Sequence, residues 1–191
     1  MGCSGEKNIS VDETGGKKRA TRSTTFNLDS RLNISNDSIT SDINMDYNKI
    51  INFVFRKHNK FRRKHNSHEL KINDDLNEEA QNYAKKLLSN DDKNYFYKNF
   101  YKDSFIGENI MLSEMDSVEA INEWYSEIQF YDFNQNTFQK NAAHFTQLIW
   151  KETKEIGIGF CKNDKKYCLV VLYYPAGNVF GEFSKNVENV K

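Results

Sequence analysis

The sequence carries no excess of charge of either sign, and this argues against one large class of partners. Lys and Arg together number 27, as do Asp and Glu, so the formal net charge is zero. Domains that bind nucleic acid usually present a basic field to the phosphate backbone. We therefore expect no nucleic-acid partner, and any electrostatic role of this chain has to be local.

Long hydrophobic runs are also missing. The N-terminal stretch MGCSGEKNISVDETGGKKRATR is polar throughout, and no later stretch is long enough to span a bilayer. Conventional secretion and membrane spanning are both disfavoured by this composition.

Cysteine is scarce as well. Cys3, Cys161 and Cys168 are too few and too scattered for a disulfide framework. The last two could face each other across a hairpin, and they would remain thiols in a reducing cytosol.

The length and apolar content predict one folded domain behind a polar arm. With 191 residues and 38% hydrophobic residues, the chain can bury a single sizeable core. Residues 1–45 are rich in Ser, Thr, Asn, Asp, Lys and Gly, and cannot bury enough surface to offset the entropy of ordering. We predict a disordered arm over residues 1–45 and a folded domain over residues 46–191.

Two amphipathic helices open the folded domain. Asp46 is a plausible cap for the first, which continues to Phe61 and has apolar residues four apart. Its far side is predicted to be basic: Arg56, Lys57, Lys60, Arg62 and Arg63. In the second helix, Asp75 and Glu78 form a start similar to a capping box. Its apolar stripe consists of Leu76, Ala80, Tyr83, Ala84, Leu87 and Leu88.

A third helix begins at the Asp116-Ser117 cap and places Glu127 on a stripe shared with Trp124 and Tyr131. A carboxylate on an aromatic stripe is costly unless it is hydrogen-bonded or neutralised. After a short helix containing His144, the residues GIGFCKNDKKYCLVVLYY predict two strands around a polar turn. Helices followed by a hairpin favour an α+β sandwich in which helices cover a small antiparallel sheet.

Three segments carry the chemistry, and they are GEN at 107–109, WYSEI at 124–128 and HFTQLIW at 144–150. With the segments AHFTQLIWKET at 143–153 and YYPAGNV at 173–179, the chain resembles the CAP superfamily, which includes cysteine-rich secretory proteins and plant pathogenesis-related protein 1. Ala143 replaces the usual Gly or acidic residue of the first signature. The resemblance covers roughly Tyr47 to Val187 and implies a three-layer α-β-α sandwich.

The resemblance also implies a central cleft that holds two histidines and two acidic residues, and that binds a divalent metal such as zinc in several members. By motif, Glu108, Glu127 and His144 occupy three of the four places. The loop before GEN has no histidine, so Tyr95 or Tyr97 takes the fourth place. A stable zinc site uses three or four strong ligands. We therefore expect at most weak zinc binding and no bound cofactor.

The four histidines divide into one cleft candidate and three others. His58, His65 and His68 lie outside the family's metal positions and are interpreted as surface or packing residues. His144 is predicted to face a polar cleft and to bond a carboxylate that fixes its tautomer. It could equally serve only to satisfy that carboxylate.

Within the superfamily, the chain is most similar to the Golgi-associated intracellular branch, whose members are N-myristoylated. Gly2 could take myristate and Cys3 palmitate, although Glu6 stands where the usual pattern has Ser or Thr. One acyl chain binds membranes only marginally. A basic run could supply a second attraction to anionic headgroups: Lys17, Lys18, Arg19 and Arg22.

These features lead to three functional hypotheses. The first is a non-enzymatic CAP-domain protein held on the cytoplasmic face of the Golgi or plasma membrane, binding anionic lipid headgroups, a sterol or a protein, with a homodimer as a further expectation. The second is a metal-assisted hydrolase using His144, Glu108 and Glu127. No nucleophile motif accompanies these residues, which disfavours hydrolysis. The third is an effector released by an unconventional route.

Overall fold

The computed structural model describes residues 36–89, 100–114 and 119–191, with side chains from Tyr47 onward. The helices and strands are α1 (Asn36–Lys64), β1 (Lys71–Ile72), α2 (Asp74–Ser89), β2 (Phe100–Tyr101), β3 (Ser104–Phe105), β4 (Gly107–Ser113), α3 (Ala120–Ser126), 3₁₀ segments at Glu127–Phe130 and Lys140–Ala142, α4 (Ala143–Ile149), β5 (Glu155–Lys162), β6 (Tyr167–Tyr174) and α5 (Phe183–Asn186). Several predicted features lie outside the described residues: Gly2, Cys3, the basic run at 17–22, Tyr95, Tyr97 and the Asp116-Ser117 cap.

A four-stranded sheet in the order β1-β5-β6-β4 forms the middle layer. Helix α2 covers one face, and α1, α3 and α4 pack on the other. This arrangement confirms the predicted α+β three-layer sandwich. The sheet is not wholly antiparallel, however, because the two-residue edge strand β1 runs parallel to β5. Strands β2 and β3 form a separate small hairpin.

Helix α2 follows the predicted apolar stripe, and its start lies slightly earlier than expected. Leu76, Ala80 and Ala84 are buried against the sheet. The capping residue is Asn73 rather than Asp75, because Asn73 Oδ1 accepts a hydrogen bond from the Leu76 backbone N–H at 3.1 Å. The acidic residues that follow complement the positive end of the helix dipole.

Two glycines let α2 approach the sheet closely. A Cβ atom at Gly159 would lie 2.1 Å from the backbone carbonyl carbon of Ala80, and one at Gly157 would lie 2.3 Å from that of Leu76. Real Cβ atoms do not approach backbone this closely, so only glycine fits at these two positions while α2 stays in place. Glycine serves here by omitting a side chain, not by adopting an unusual backbone angle.

The final hairpin forms as the sequence predicted. Strands β5 and β6 pair antiparallel from Glu155 opposite Tyr174 to Lys162 opposite Tyr167. Asn163 shapes the turn, because its side-chain oxygen accepts hydrogen bonds from the backbone N–H groups of Lys165 and Lys166. Strand β6 is buried on both faces, since it lies between β5 and β4 and between two helical layers.

Helix α1 differs from its prediction in two respects. It begins at Asn36, earlier than the start near Asp46 that the apolar spacing predicted. A nucleated helix can extend through polar residues, so apolar spacing alone does not locate its first turn. The prediction that Arg62 belongs to an exposed basic side was wrong, because its side chain is completely buried. Among the helices within the described ranges, none combines the length and the apolar content needed to cross a bilayer.

Candidate functional site

The site is built around the N-terminus of α4, where Glu127 holds three donors. Its Oε2 accepts hydrogen bonds from the backbone N–H groups of His144 at 2.9 Å and Phe145 at 3.1 Å. Its Oε1 lies 2.6 Å from His144 Nδ1. The first N–H groups of a helix have no partner within the helix. Glu127 therefore caps α4 from a distant segment and complements the helix dipole with its negative charge.

His144 is oriented by two contacts on different elements. Its Nδ1 bonds Glu127, and its ring stacks on Trp124 of α3 with centroids 5.8 Å apart and planes inclined by 16°. The His144 side chain is 43% exposed and that of Glu127 is 20% exposed. Because the carboxylate favours a proton on Nδ1, a neutral ring presents the Nε2 lone pair. Nε2 has no hydrogen-bond partner among the described residues, so it is available to a ligand.

A buried polar network supports α4 from beneath. Asn109 Nδ2 donates to the His144 backbone oxygen and to the Tyr173 hydroxyl, each at 3.1 Å. That hydroxyl lies 2.8 Å from His58 Nε2, and His58 Nδ1 lies 2.8 Å from the Val54 backbone oxygen. Because a carbonyl only accepts, Nδ1 carries the ring proton and Nε2 accepts from Tyr173. The network therefore joins α1, β6, β4 and α4.

Burial sets the protonation states in this network. Desolvation lowers the pKa of His58 from 6.5 to about 4, so the ring is neutral near pH 7. Desolvation also raises the pKa of the Tyr173 phenol well above its ordinary value, which keeps the hydroxyl protonated as a donor. A similar buried ring, His65, lies between the Glu188 backbone oxygen and the Tyr125 hydroxyl. His58 and His65 are thus packing residues, and His68 is exposed.

Glu108 does not join the Glu127–His144 pair. It lies on β4 opposite Leu172, which belongs to the cluster packed against α2. Successive residues of a strand point to opposite faces, so Glu108 shares a side with Leu172 and Asn109 faces His144. Within the described residues, Glu108 has no hydrogen bond or ion pair to either partner. Partial burial raises the pKa of the Glu108 carboxyl above its ordinary value.

The segment that follows β6 forms several hydrogen bonds with α4. Gln147 Oε1 accepts from the Gly177 backbone N–H at 2.9 Å. Asn178 has a positive φ of 57° and bonds α4 twice. Its Oδ1 accepts from Thr146 Oγ1 at 2.6 Å, and its Nδ2 donates to the Ala143 oxygen at 3.0 Å. Hydrogen bonds from the YYPAGNV segment at 173–179 therefore hold the first turn of α4 in place.

Arg62 secures the opposite end of α4. Its Nη1 donates to the backbone oxygens of Leu148 and Trp150, its Nη2 to that of Thr153, and its Nε to that of His68. The last carbonyls of a helix have no partner within the helix, and a cation complements the negative end of the dipole. Burial lowers the pKa of Arg62 to about 10, and the guanidinium remains charged at neutral pH.

The described donors do not fit a metal ion. No group of three or more His, Cys, Asp or Glu side chains within the described ranges converges as a metal site would. Both oxygens of Glu127 already accept hydrogen bonds, so of this pair only His144 Nε2 remains as a ligand atom for a metal ion. Zinc normally takes three or four such ligands.

Sequence reasoning found the pair and missed its support. The aromatic stripe of the third helix singled out Glu127, the resemblance to the CAP superfamily singled out His144, and the structure joins the two. Sequence reasoning did not predict the buried hydrogen bonds of Tyr173 and Arg62, and it left open whether His58 is a surface or a packing residue. A tyrosine within the apolar strand CLVVLYY was one available signal, because a buried hydroxyl needs a partner.

The comparisons with known proteins agree with the fold. Residues 55–174 match the model of the CAP family, described as the cysteine-rich secretory protein family. The human Golgi-associated plant pathogenesis-related protein 1 is 38% identical over 143 residues, which cover 71% of this chain and 90% of that protein. Protein PRY2 of Saccharomyces cerevisiae is 40% identical over 83 residues, which cover 42% of this chain and 25% of that protein. The structure of Schistosoma mansoni venom allergen-like protein 4 superposes with a TM-score of 0.55 at 26% identity, covering 72% of this chain and 92% of that one.

Proposed function

The chain belongs to the cysteine-rich secretory protein (CAP) family, and on that premise we propose that it is a non-enzymatic binding protein held at the cytoplasmic face of a membrane by an acylated N-terminus. The observation that carries this proposal is the similarity along 90% of a Golgi-associated relative, in a chain whose sequence reads Met1-Gly2-Cys3. Gly2 would carry myristate and Cys3 palmitate, and the two chains together give stable anchoring where one does not.

The geometry of the Glu127–His144 pair supports binding rather than catalysis. Glu127 already holds both its oxygens against His144 and Phe145, so the pair stabilises the start of α4. A general base or nucleophile needs a reacting partner within hydrogen-bonding reach. What the pair offers outward is the edge of one imidazole beside Trp124. This polar edge over an aromatic ring suits recognition of a lipid headgroup or of a protein side chain.

Anionic headgroups are the proposed lipid partner, because of the basic run at residues 17–22. Each Lys or Arg near an anionic membrane surface contributes about 1 kcal/mol, roughly fivefold in partitioning. A sterol, a protein partner and a second copy of the chain are the other proposed partners, and the Golgi or plasma membrane is the proposed location.

Fractionation of cells expressing the full chain tests the anchor. We expect the wild-type protein in the membrane fraction and the Gly2→Ala protein in the supernatant, with Cys3→Ser shifted part of the way. Ser4→Ala is the matched control, and it should remain with membranes. Labelling with an alkynyl myristate analogue should mark the wild type and not Gly2→Ala. Equal membrane association of Gly2→Ala and the wild type would remove the anchor.

A second candidate function is metal-assisted hydrolysis, which would need metal ligands beyond the single one that the described residues offer, and one observation favours it. His144 Nδ1 is held by a carboxylate while Nε2 stays unpartnered among the described residues, as in many ligating or basic histidines. Zinc titration and a panel of esterase and peptidase substrates should compare the wild type with His144→Ala, using His68→Ala as control. Activity lost only in His144→Ala would support this function, and identical zinc binding and turnover in all three would exclude it.

A further inference from the structure

Cys161 and Cys168 lie directly opposite each other in the β5–β6 hairpin, one pair before its turn. Cα atoms of directly paired antiparallel residues are about 4.5 or 5.5 Å apart. A disulfide spans Cα separations of about 4.4 to 6.8 Å. Directly paired positions in the hairpin therefore lie within the range of Cα separations that a disulfide spans.

The two side chains also point to the same side of the sheet and touch. Both belong to the cluster packed beneath α2, and their thiol groups are hydrogen-bonded to each other. Cys168 is fully buried, and Cys161 is half-buried. A reagent in solution therefore meets Cys161 first, and Cys168 is reached through Cys161.

The surroundings of Cys161 favour the reactive form of a thiol. The hydrogen bond from Cys168 lowers the pKa of Cys161 below its ordinary value, and the positive charge of Lys85 acts in the same direction, while burial opposes both. The thiolate is the nucleophile in exchange with disulfides. Lys85 belongs to α2, so the helix that covers the pair also supplies this charge.

We propose that Cys161 and Cys168 are a reversible oxidation site, at which Cys161 reacts with a low-molecular-weight disulfide such as oxidised glutathione and Cys168 resolves the adduct. The Cys161 thiolate attacks one glutathione sulfur, forms a mixed disulfide and releases a glutathione thiolate. Cys168 then gives up its proton and attacks the Cys161 sulfur, which releases the second glutathione thiolate. The protein dithiol has lost two electrons and two protons, and oxidised glutathione has become two molecules of reduced glutathione.

This site is separate from the Glu127–His144 pair, and it does not depend on the proposed membrane anchor. The pair lies on the α2 side of the sheet, whereas His144 and Glu127 lie with α3 and α4 on the opposite side. Oxidation would tie β5 to β6 next to the exposed turn at residues 163–166. On the cytoplasmic side the pair would be reduced at rest and would report an oxidising shift.

The experiment uses the full chain with Cys3→Ser, so that only this pair remains. Reduced protein is equilibrated with glutathione mixtures of defined potential, quenched by acid and alkylation, and analysed by intact mass and peptide mapping. We expect a peptide that links Cys161 to Cys168 and returns to two thiols on addition of reductant. The ratio of disulfide to dithiol should change about a hundredfold over about 60 mV, as a two-electron couple requires.

Two single variants separate the roles of the sulfurs, with near-ultraviolet circular dichroism to verify folding. Cys168→Ala should stop at a stable glutathione adduct on Cys161, and Cys161→Ser should leave Cys168 unmodified. If the folded parent protein also stops at the adduct, or if no linked peptide forms at any potential, the proposal is wrong. The parent protein alone decides the question if either variant fails to fold.

Discussion

His58 Nε2 accepts a hydrogen bond from the Tyr173 hydroxyl at 2.8 Å, although the two residues are 115 positions apart in the chain. This contact fixes α1 against β6 in the interior, and Asn109 extends it to the backbone of His144. The candidate site therefore rests on a buried network whose members have one allowed arrangement of protons. The stability of the folded protein should therefore depend on pH, on the Tyr173 hydroxyl and on the His58 ring.

The first prediction concerns acid. Unfolded His58 gains a proton as the pH falls through 6.5, while the folded protein excludes that proton until about pH 4. The folded state is therefore disfavoured progressively between these values, and the loss from this residue amounts to about 3 kcal/mol. Urea unfolding at a series of pH values from 7 to 4 measures it.

His58→Gln and His68→Gln are the paired variants for that measurement. The first should be less stable than the wild type at pH 7 and should lose less on acidification. His68 is exposed, so the second should follow the wild-type curve. Parallel curves for the wild type and His58→Gln would show that His58 does not cause the loss.

The second prediction concerns the Tyr173 hydroxyl. Tyr173→Phe leaves His58 Nε2 without a donor inside the core and removes an acceptor from Asn109. An unsatisfied buried polar group costs about 1 to 3 kcal/mol, and we expect a loss of that size in chemical unfolding. Tyr167→Phe is the matched control, because the Tyr167 hydroxyl has no hydrogen bond within the described residues. Equal losses in the two variants would contradict a role for the network.

The third prediction compares two neighbouring arginines. Arg62→Met removes four hydrogen bonds from a charged group to backbone oxygens and should destabilise the protein by about 3 kcal/mol or more. Arg63→Met removes only an exposed ion pair with Glu69 and should cost about 1 kcal/mol or less. Thermal and urea unfolding of both variants test the difference. Similar values would mean that the buried guanidinium adds nothing beyond a surface charge.

The fourth prediction concerns the tautomer of His144. In the wild type we expect the neutral ring to carry its proton on Nδ1, because that proton is donated to Glu127. Glu127→Ala should shift the ring toward the Nε2–H form and should destabilise the start of α4 by about 1 to 3 kcal/mol. Nitrogen-15 spectra of the imidazole report the tautomer directly. Glu123→Ala, an exposed change on α3, should alter neither spectrum nor stability.

The sequence predicted those parts of the fold that follow from local periodicity. The predictions of the apolar stripe on α2 and of the β5–β6 hairpin are confirmed, because both features follow a regular pattern of buried residues along the chain. The Asn73 cap was displaced from the predicted Asp75, since caps depend on a single side-chain bond. Sequence periodicity locates helices and strands better than it locates their ends.

Only part of the candidate site was predicted. Glu127 and His144 were found because they lie on recognisable segments, although they are 17 positions apart in the chain. Arg62 was assigned to solvent because periodicity treats any charge as exposed. Nothing local shows that three carbonyl oxygens from a distant segment, together with that of the nearby His68, surround it. Glu108 adjoins Asn109 in the sequence, but the alternation of β4 sends the two side chains to opposite faces.

Gly157 and Gly159, which let the α2 backbone approach β5 closely, also limit how β5 can align with α2 during folding. If β5 shifted by two residues along α2, either Glu155 would take the position of Gly157 or Cys161 would take that of Gly159. At both positions the α2 backbone leaves no room for a Cβ atom. A slip by one residue would turn the apolar side chains of β5 away from their core. The close approach of α2 therefore selects a single strand register, and helix and hairpin can assemble in only one alignment.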